Sequence, residues 1–132
     1  MIAAARTLIP LLLLLLVLAS CDLGSDRVEP VAIPDASEVV YVRVWQSGVE
    51  HRIANRDSIG RIVAIIGSDD LVWRKADTTF PTPDARVSFR LRTNEELFVT
   101  FVGANWIGDP PAAVAMIDES EMEALRKALA LD

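Results

Sequence analysis

The sequence predicts an α+β domain with a single, mostly antiparallel sheet of 4–5 strands and two helices packed on one face. Short segments alternate apolar and polar residues and are separated by tight turns, which indicates strands joined as hairpins. Two amphipathic segments each carry one apolar stripe, so both helices are expected to cover the same sheet face. The predicted order is β-β-α-β-β-(β)-α.

A β-hairpin is predicted to open the domain. In "EVVYVRVWQ" the valines Val40, Val42 and Val44 alternate with Tyr41, Arg43 and Trp45. Ser47-Gly48 is a turn pair, and "VEHRI" resumes the alternation as a second strand. The first helix follows, with Asn55 as its N-cap and Gly67 at its end. Its apolar stripe is formed by Ile59, Ile62, Val63 and Ile66.

The middle of the chain holds the remaining predicted strands. Leu71–Arg74 and Trp106–Ile107 are candidate short strands. "RVSFRLR" alternates, the turn Thr93-Asn94 follows, and "ELFVTFVG" is apolar on both sides, which is typical of a central strand. "GDPPAA" is predicted to break the chain. The last helix has two alternative capping boxes, Asp118 with Glu121 or Ser120 with Glu123, and an apolar stripe of Met122, Leu125 and Leu129.

Residues 1–20 have the pattern of a signal peptide. Arg6 supplies a positive charge, and Leu8 to Ala19 is an apolar run interrupted only by Pro10. This run suits a signal-peptide core and falls short of the roughly 20 residues of a transmembrane helix. Its end, Leu18-Ala19-Ser20-Cys21, resembles the lipobox of bacterial lipoproteins.

The resemblance implies a lipid anchor. In that family the cysteine thiol is joined to a diacylglycerol, the peptide is cut before the cysteine, and the new amino terminus is acylated, commonly with palmitate. Cys21 is the only cysteine, so its lipidation leaves no thiol for other chemistry. Asp22 resembles the signal that retains lipoproteins at the periplasmic face of the inner membrane in enteric-type Gram-negative bacteria. The outer membrane is the alternative in a host that sorts differently.

The predicted organisation is a removed signal peptide (1–20), a lipidated cysteine with a flexible linker (21–37) and one domain (38–132). The order and length of the domain's elements are similar to those of small YhfM-like lipoprotein domains of unknown function. The chain has 13 basic and 19 acidic residues, and cleavage removes only Arg6 among them, which leaves a net charge of −7. An acidic chain disfavours nucleic acid as a partner.

The sequence offers little for catalysis. His51 is the only histidine, and on an apolar strand face it is expected to be partly buried and hydrogen-bonded rather than catalytic. The acid pairs Asp69-Asp70, Glu95-Glu96 and Asp118-Glu119 fall at turns or helix ends, where acids are common. Neither a metal site nor a cofactor is predicted, apart from the covalent lipid on Cys21.

The candidate binding surface is the sheet face turned away from the helices. It is predicted to carry Tyr41, Arg43, Trp45, Arg90 and Arg92, with Arg52 as a further candidate. Arginine and aromatic side chains are common in binding hot spots. We therefore expect a non-enzymatic, membrane-anchored interaction module of the cell envelope, whose partner is an envelope protein or an anionic polymer. The alternatives are a small carboxylate-based hydrolase and a structural spacer without a specific ligand.

Overall fold

The structure, a computed structural model, describes residues 27–76 and 80–131. These residues form seven strands and two α-helices, α1 (Arg56–Ile66) and α2 (Glu119–Ala128). The strands are β1 (Val39–Gln46), β2 (Val49–Ile53), β3 (Trp73–Arg74), β4 (Ala85–Leu91), β5 (Glu96–Val102), β6 (Trp106–Asp109) and β7 (Ala113–Met116). Neither of these helices combines the length and the apolar character that a membrane span requires.

All seven strands belong to one antiparallel sheet in the order β2-β1-β4-β5-β6-β7-β3. The α+β class with a single sheet is confirmed, whereas the predicted count of 4–5 strands is too low. The β1–β2 hairpin turns at Ser47 and Gly48, which both have positive φ. Such angles match a two-residue turn whose twist suits the flanking strands. The strand β5 is central, as its apolar composition predicted.

The strand missed by the prediction, β7, follows the two prolines. Pro110 and Pro111 connect β6 to β7, and the Ala112 N–H donates to the Asp109 carbonyl across this turn at 3.0 Å. Prolines suit such a turn because they need no N–H partner in the ladder. The predicted break is this turn, which separates β6 from β7 at residues 110–112. The strand β7 has only four residues, two of them alanine, so its sequence gives a weak strand signal.

One hydrophobic core joins the helices to alternate residues of the sheet. Val42, Val44, Val87 and Phe89 are fully buried in it. Both helices contribute their apolar stripes, and their buried members are Ile59, Ile62, Ile66, Met122, Leu125, Ala128 and the C-cap residue Leu129. The neighbouring strand residues Tyr41, Arg43 and Trp45 are only partly buried. The alternation in β1 and β4 therefore separates a core face from an open face.

Each of the two helices begins at a residue whose side chain caps its first turn. The Asn55 side chain accepts the Ser58 N–H at 3.1 Å, which confirms it as the N-cap of α1. The Asp118 side chain accepts the Glu121 N–H at 2.8 Å, so the first of the two alternative caps of α2 is the one formed. Both bonds satisfy helix donors that have no partner within the helix.

Residues 27–37, which the sequence assigned to the linker, are in contact with the domain. Arg27 forms an antiparallel bridge with Arg74, and the Val28 N–H donates to the Trp73 carbonyl at 3.1 Å. Val31 and Ile33 are half-buried against the core, and Ile33 lies beside Gly67 at the end of α1. The described part of the predicted linker, from Arg27 onwards, is therefore packed against the domain.

Candidate functional site

The open face of β2, β1, β4 and β5 carries arginines, aromatic rings and two carboxylates. We call this set the arginine face; it consists of Tyr41, Arg43, Trp45, Glu50, Arg52, Arg86, Arg90, Glu96 and Phe98. The strand register brings them together, since Arg43 lies opposite Arg52 on one side and Ser88 on the other, and Trp45 lies between Glu50 and Arg86. Side chains opposite one another in adjacent strands are within contact distance.

Arg43 is the centre of the arginine face. Its Nη1 lies 2.8 Å from Oε1 and 3.0 Å from Oε2 of Glu96, and Ser88 Oγ donates to the same carboxylate at 2.8 Å. Its Nε lies 2.9 Å from Glu50 Oε1, an ion pair without hydrogen-bond alignment. The Arg43 side chain is only 17% exposed. Its charge is therefore neutralised within the domain and serves to hold three strands together.

Tyr41 links Arg43 to Arg90. Its hydroxyl oxygen accepts from Arg43 Nη2 and from Arg90 Nε, each at 3.2 Å. Arg90 also donates to the Asn94 carbonyl at 2.8 Å and lies 3.6 Å from Glu96. Arg90, like Arg43, thus uses most of its donors inside the protein. Two of the arginines that the sequence placed on the binding surface have a structural role there.

Arg52 and Arg86 are the cations on this face that remain open to a partner. The Arg52 side chain is 56% exposed; its guanidinium lies 4.6 Å from the centre of the Tyr41 ring and its Nε 3.5 Å from Glu50. Arg86 is exposed and lies between two rings, 5.1 Å from the centre of Trp45 and 5.2 Å from that of Phe98. Within residues 27–76 and 80–131, no carboxylate lies at ion-pair distance from Arg86.

The ionisation of the face reflects these contacts. The hydrogen bond from Arg90 is the main cause that lowers the pKa of Tyr41, assisted by that from Arg43 and opposed by burial. Burial acts to lower the pKa of Arg43, but the Tyr41 hydroxyl and the charges of Glu50 and Glu96 outweigh it and raise that pKa. The first shift favours the anionic phenolate of Tyr41 and the second the cationic guanidinium of Arg43, so both reflect the hydrogen bond between these two side chains.

The structure brings Tyr41, Arg43, Trp45 and Arg90 together and leaves Arg92 apart. Arg92 follows the end of β4 in an exposed turn, where its N–H donates to the Glu38 carbonyl. Cys21 and Asp22 lie outside the described residues. The prediction missed Arg86 and Phe98. Arg86 was within reach of sequence reasoning, because it has the same parity as Ser88 and Arg90 along β4.

The histidine and the acid pairs lie elsewhere. His51 is half-buried opposite Val44, and its Nε2 lies 2.8 Å from the Leu129 carbonyl at the end of α2, so its predicted hydrogen-bonded state is confirmed. Among the residues that the structure describes, no cluster of three or more histidine, cysteine, aspartate or glutamate side chains is suited to a metal ion. A crevice of about 510 Å³ lies over the open face of β3 and β7, and Asp70 is the one carboxylate among the described residues that line it.

Comparison of the chain with family models, curated proteins and solved structures finds no match. The arginine face therefore has to be understood from its own chemistry.

Titration of Tyr41 tests this arrangement directly. Tyr41 is the only tyrosine in the chain, so tyrosinate absorbance reports its ionisation alone. We expect a midpoint below the usual value of 10.0 and a return towards that value in Arg90→Met, which removes the main stabilising donor. Arg61→Met, on the exposed side of α1, is the control and leaves the midpoint unchanged. A wild-type midpoint at or above 10.0 would contradict the described network.

Proposed function

We propose that the chain is a bacterial cell-envelope lipoprotein, anchored through a lipid on Cys21, whose domain is a non-enzymatic module that binds an acidic partner protein at the arginine face. The anchor proposal rests on the lipobox-like residues 18–21, and Asp22 favours the periplasmic face of the inner membrane. One observation carries the binding proposal. An acidic protein keeps two exposed guanidinium groups, Arg52 and Arg86, held against aromatic rings on one open sheet face.

The packing of these two arginines favours binding. A guanidinium held over a ring has already lost much of its conformational freedom, so less entropy is lost when it pairs with a carboxylate. Trp45 and Phe98 add apolar area around Arg86, and such arginine-aromatic surroundings are typical of interface hot spots. Arg43, Glu50 and Glu96 form a rigid base that holds the outer groups in position.

A capture experiment with charge reversals tests this proposal. The protein is bound to a resin and incubated with detergent-solubilised envelope from its own host. We expect Arg52→Glu/Arg86→Glu to reduce the recovery of an acidic envelope protein by at least about tenfold, because two attractive contacts become repulsive. The matched control Arg61→Glu/Lys127→Glu reverses two exposed charges on the helices and leaves recovery unchanged.

A second comparison tests the predicted surface residue that the structure leaves apart from the arginine face. Arg92→Glu lies in the turn beyond β4 and is expected to have little effect on recovery. Equal recovery by wild type and the Arg52/Arg86 variant would overturn the choice of surface. Recovery of a polyanionic polymer in place of a protein would overturn the choice of partner.

A further inference from the structure

The distance between Cys21 and the folded domain is short. Arg27 bridges to Arg74 and Val28 is bonded to Trp73, so only the residues between Cys21 and Arg27 are available as a tether. At about 3.3–3.6 Å per residue these span roughly 20 Å at full extension. A lipid on Cys21 therefore keeps the outer edge of β3 close to the bilayer.

That edge exposes apolar and basic side chains together. Met116 is 59% exposed and Val72 is 43% exposed. With Arg74 and Lys75 they line the crevice over the open face of β3 and β7, and both cations are exposed. We call these four residues the β3-edge patch. Long apolar side chains flanked by cations suit the headgroup region of an anionic bilayer.

We propose that the domain contacts an anionic phospholipid bilayer through the β3-edge patch, at the tethered end of the open sheet face, and that the arginine face at the other end of that sheet face stays clear of the membrane. This proposal rests on the lipid anchor at Cys21 proposed above. The two edges of a seven-stranded sheet are about 29 Å apart at ~4.8 Å per strand spacing. Since β2 and β3 are the two edges, the hairpin at Val49 is far from the bilayer when the domain stands upright on the tethered edge.

Charge within the patch favours an anionic surface. Arg74 and Lys75 are its two cations, and Asp70 is the one carboxylate among the described residues that line the crevice. An anionic bilayer attracts such a patch, although the acids Asp22, Asp26 and Glu29 at the tether weaken the attraction. The second cationic area, the arginine face, lies towards the far edge. When the domain stands upright on its tethered edge, the patch meets the lipid and the arginine face does not.

Fluorescence quenching by lipids tests the orientation. The lipidated protein is purified from membranes and reconstituted into vesicles of phosphatidylglycerol and phosphatidylcholine that contain a nitroxide headgroup lipid. Because the Cys21 thiol is occupied by lipid, Met116→Cys and Val49→Cys each provide a single site for a fluorophore. We expect strong quenching at position 116 and little at position 49, whose side chain is 65% exposed in the wild type.

Charge reversal supplies the second readout. In the Met116→Cys background, Arg74→Glu/Lys75→Glu is expected to weaken the membrane-contacting state about fivefold for each cation removed. Arg61→Glu/Lys127→Glu is the matched control and leaves quenching unchanged. Quenching at position 116 is also expected to fall when phosphatidylcholine replaces phosphatidylglycerol.

Flotation distinguishes the anchor from the orientation. Protein that fails to float with the vesicles lacks the anchor, which overturns the lipoprotein proposal and this inference with it. Protein that floats but is quenched equally at positions 49 and 116 has its sheet flat on the membrane or turns freely, which overturns the orientation alone. Protein that floats and is quenched only at position 116 supports both.

Discussion

Replacement of Phe89 by alanine is expected to lower the free energy of unfolding by about 3–5 kcal/mol. Phe89 is the largest fully buried side chain among the described residues and lies where β4 pairs with β1 and β5. Alanine leaves a cavity that the surrounding strands and helices fill only in part. Because small domains are stable by only about 5–15 kcal/mol, the variant retains a fraction of the original stability. Urea unfolding measures the fall in midpoint.

Phe98→Ala is the matched control on the opposite face. Phe98 is half-buried, 5.2 Å from the Phe101 ring centre and 5.2 Å from the Arg86 guanidinium carbon. We expect a smaller loss of about 1–2 kcal/mol, together with weaker capture of the partner, because Arg86 loses one of its two rings. Losses of equal size at positions 89 and 98 would contradict a core confined to one side of the sheet.

The second large effect is expected at Cys21. In cells given a fatty-acid analogue, the wild-type chain is expected to carry the label, and Cys21→Ser to carry none, because serine lacks the thiol that accepts the lipid. Labelling is the deciding measurement, since an uncut apolar segment at residues 8–19 can keep the serine variant in the membrane fraction. Persistent labelling of Cys21→Ser would refute the anchor.

Asp22→Ser provides the matched control for the anchor and a test of sorting. The variant keeps the thiol, so we expect full labelling. If Asp22 retains the protein in the inner membrane, the variant moves to the outer membrane in an enteric-type host, which density-gradient separation of the two membranes detects. An unchanged distribution would remove the role given to Asp22 and leave the anchor intact.

The sequence predicted those strands whose residues alternate between a buried and a solvent-exposed face of the sheet. Alternation holds for Val42 and Val44 in β1 and for Val87 and Phe89 in β4, so these four residues could be assigned to the core from the sequence. Val40 belongs to the same alternating series but is 46% exposed, and it lies at a register shift between Val39 and Tyr41. In β6 and β7 the strands are four residues long, too short for a periodic signal. Their hairpin depends on tertiary pairing, which no local pattern reports.

The same limit applies to the candidate site. Alternation correctly placed Tyr41, Arg43 and Trp45 on one side of β1. It could not show that Glu50 and Glu96 neutralise Arg43, because that depends on the pairing of β1 with β2 and β4 and on an irregularity between Val87 and Ser88. Alternation also placed Arg92 wrongly on this face, because β4 ends at Leu91 and side chains no longer alternate beyond the end of a strand. The proline-rich segment before Glu38 gave no sign that Val31 and Ile33 lie against the core.

The attachment of the Arg27 segment to β3 has a mechanical consequence. With the lipid anchor that we propose at Cys21, tension on the anchor would load the bridge between Arg27 and Arg74 and the hydrogen bond of Val28 before any strand pair deeper in the sheet. These contacts are loaded one after another, so they peel at low force. Release of the chain as far as Asp35 adds about 30 Å at ~3.3–3.6 Å per residue. A force applied by a partner at the arginine face would therefore lengthen the tether before it unfolds the domain.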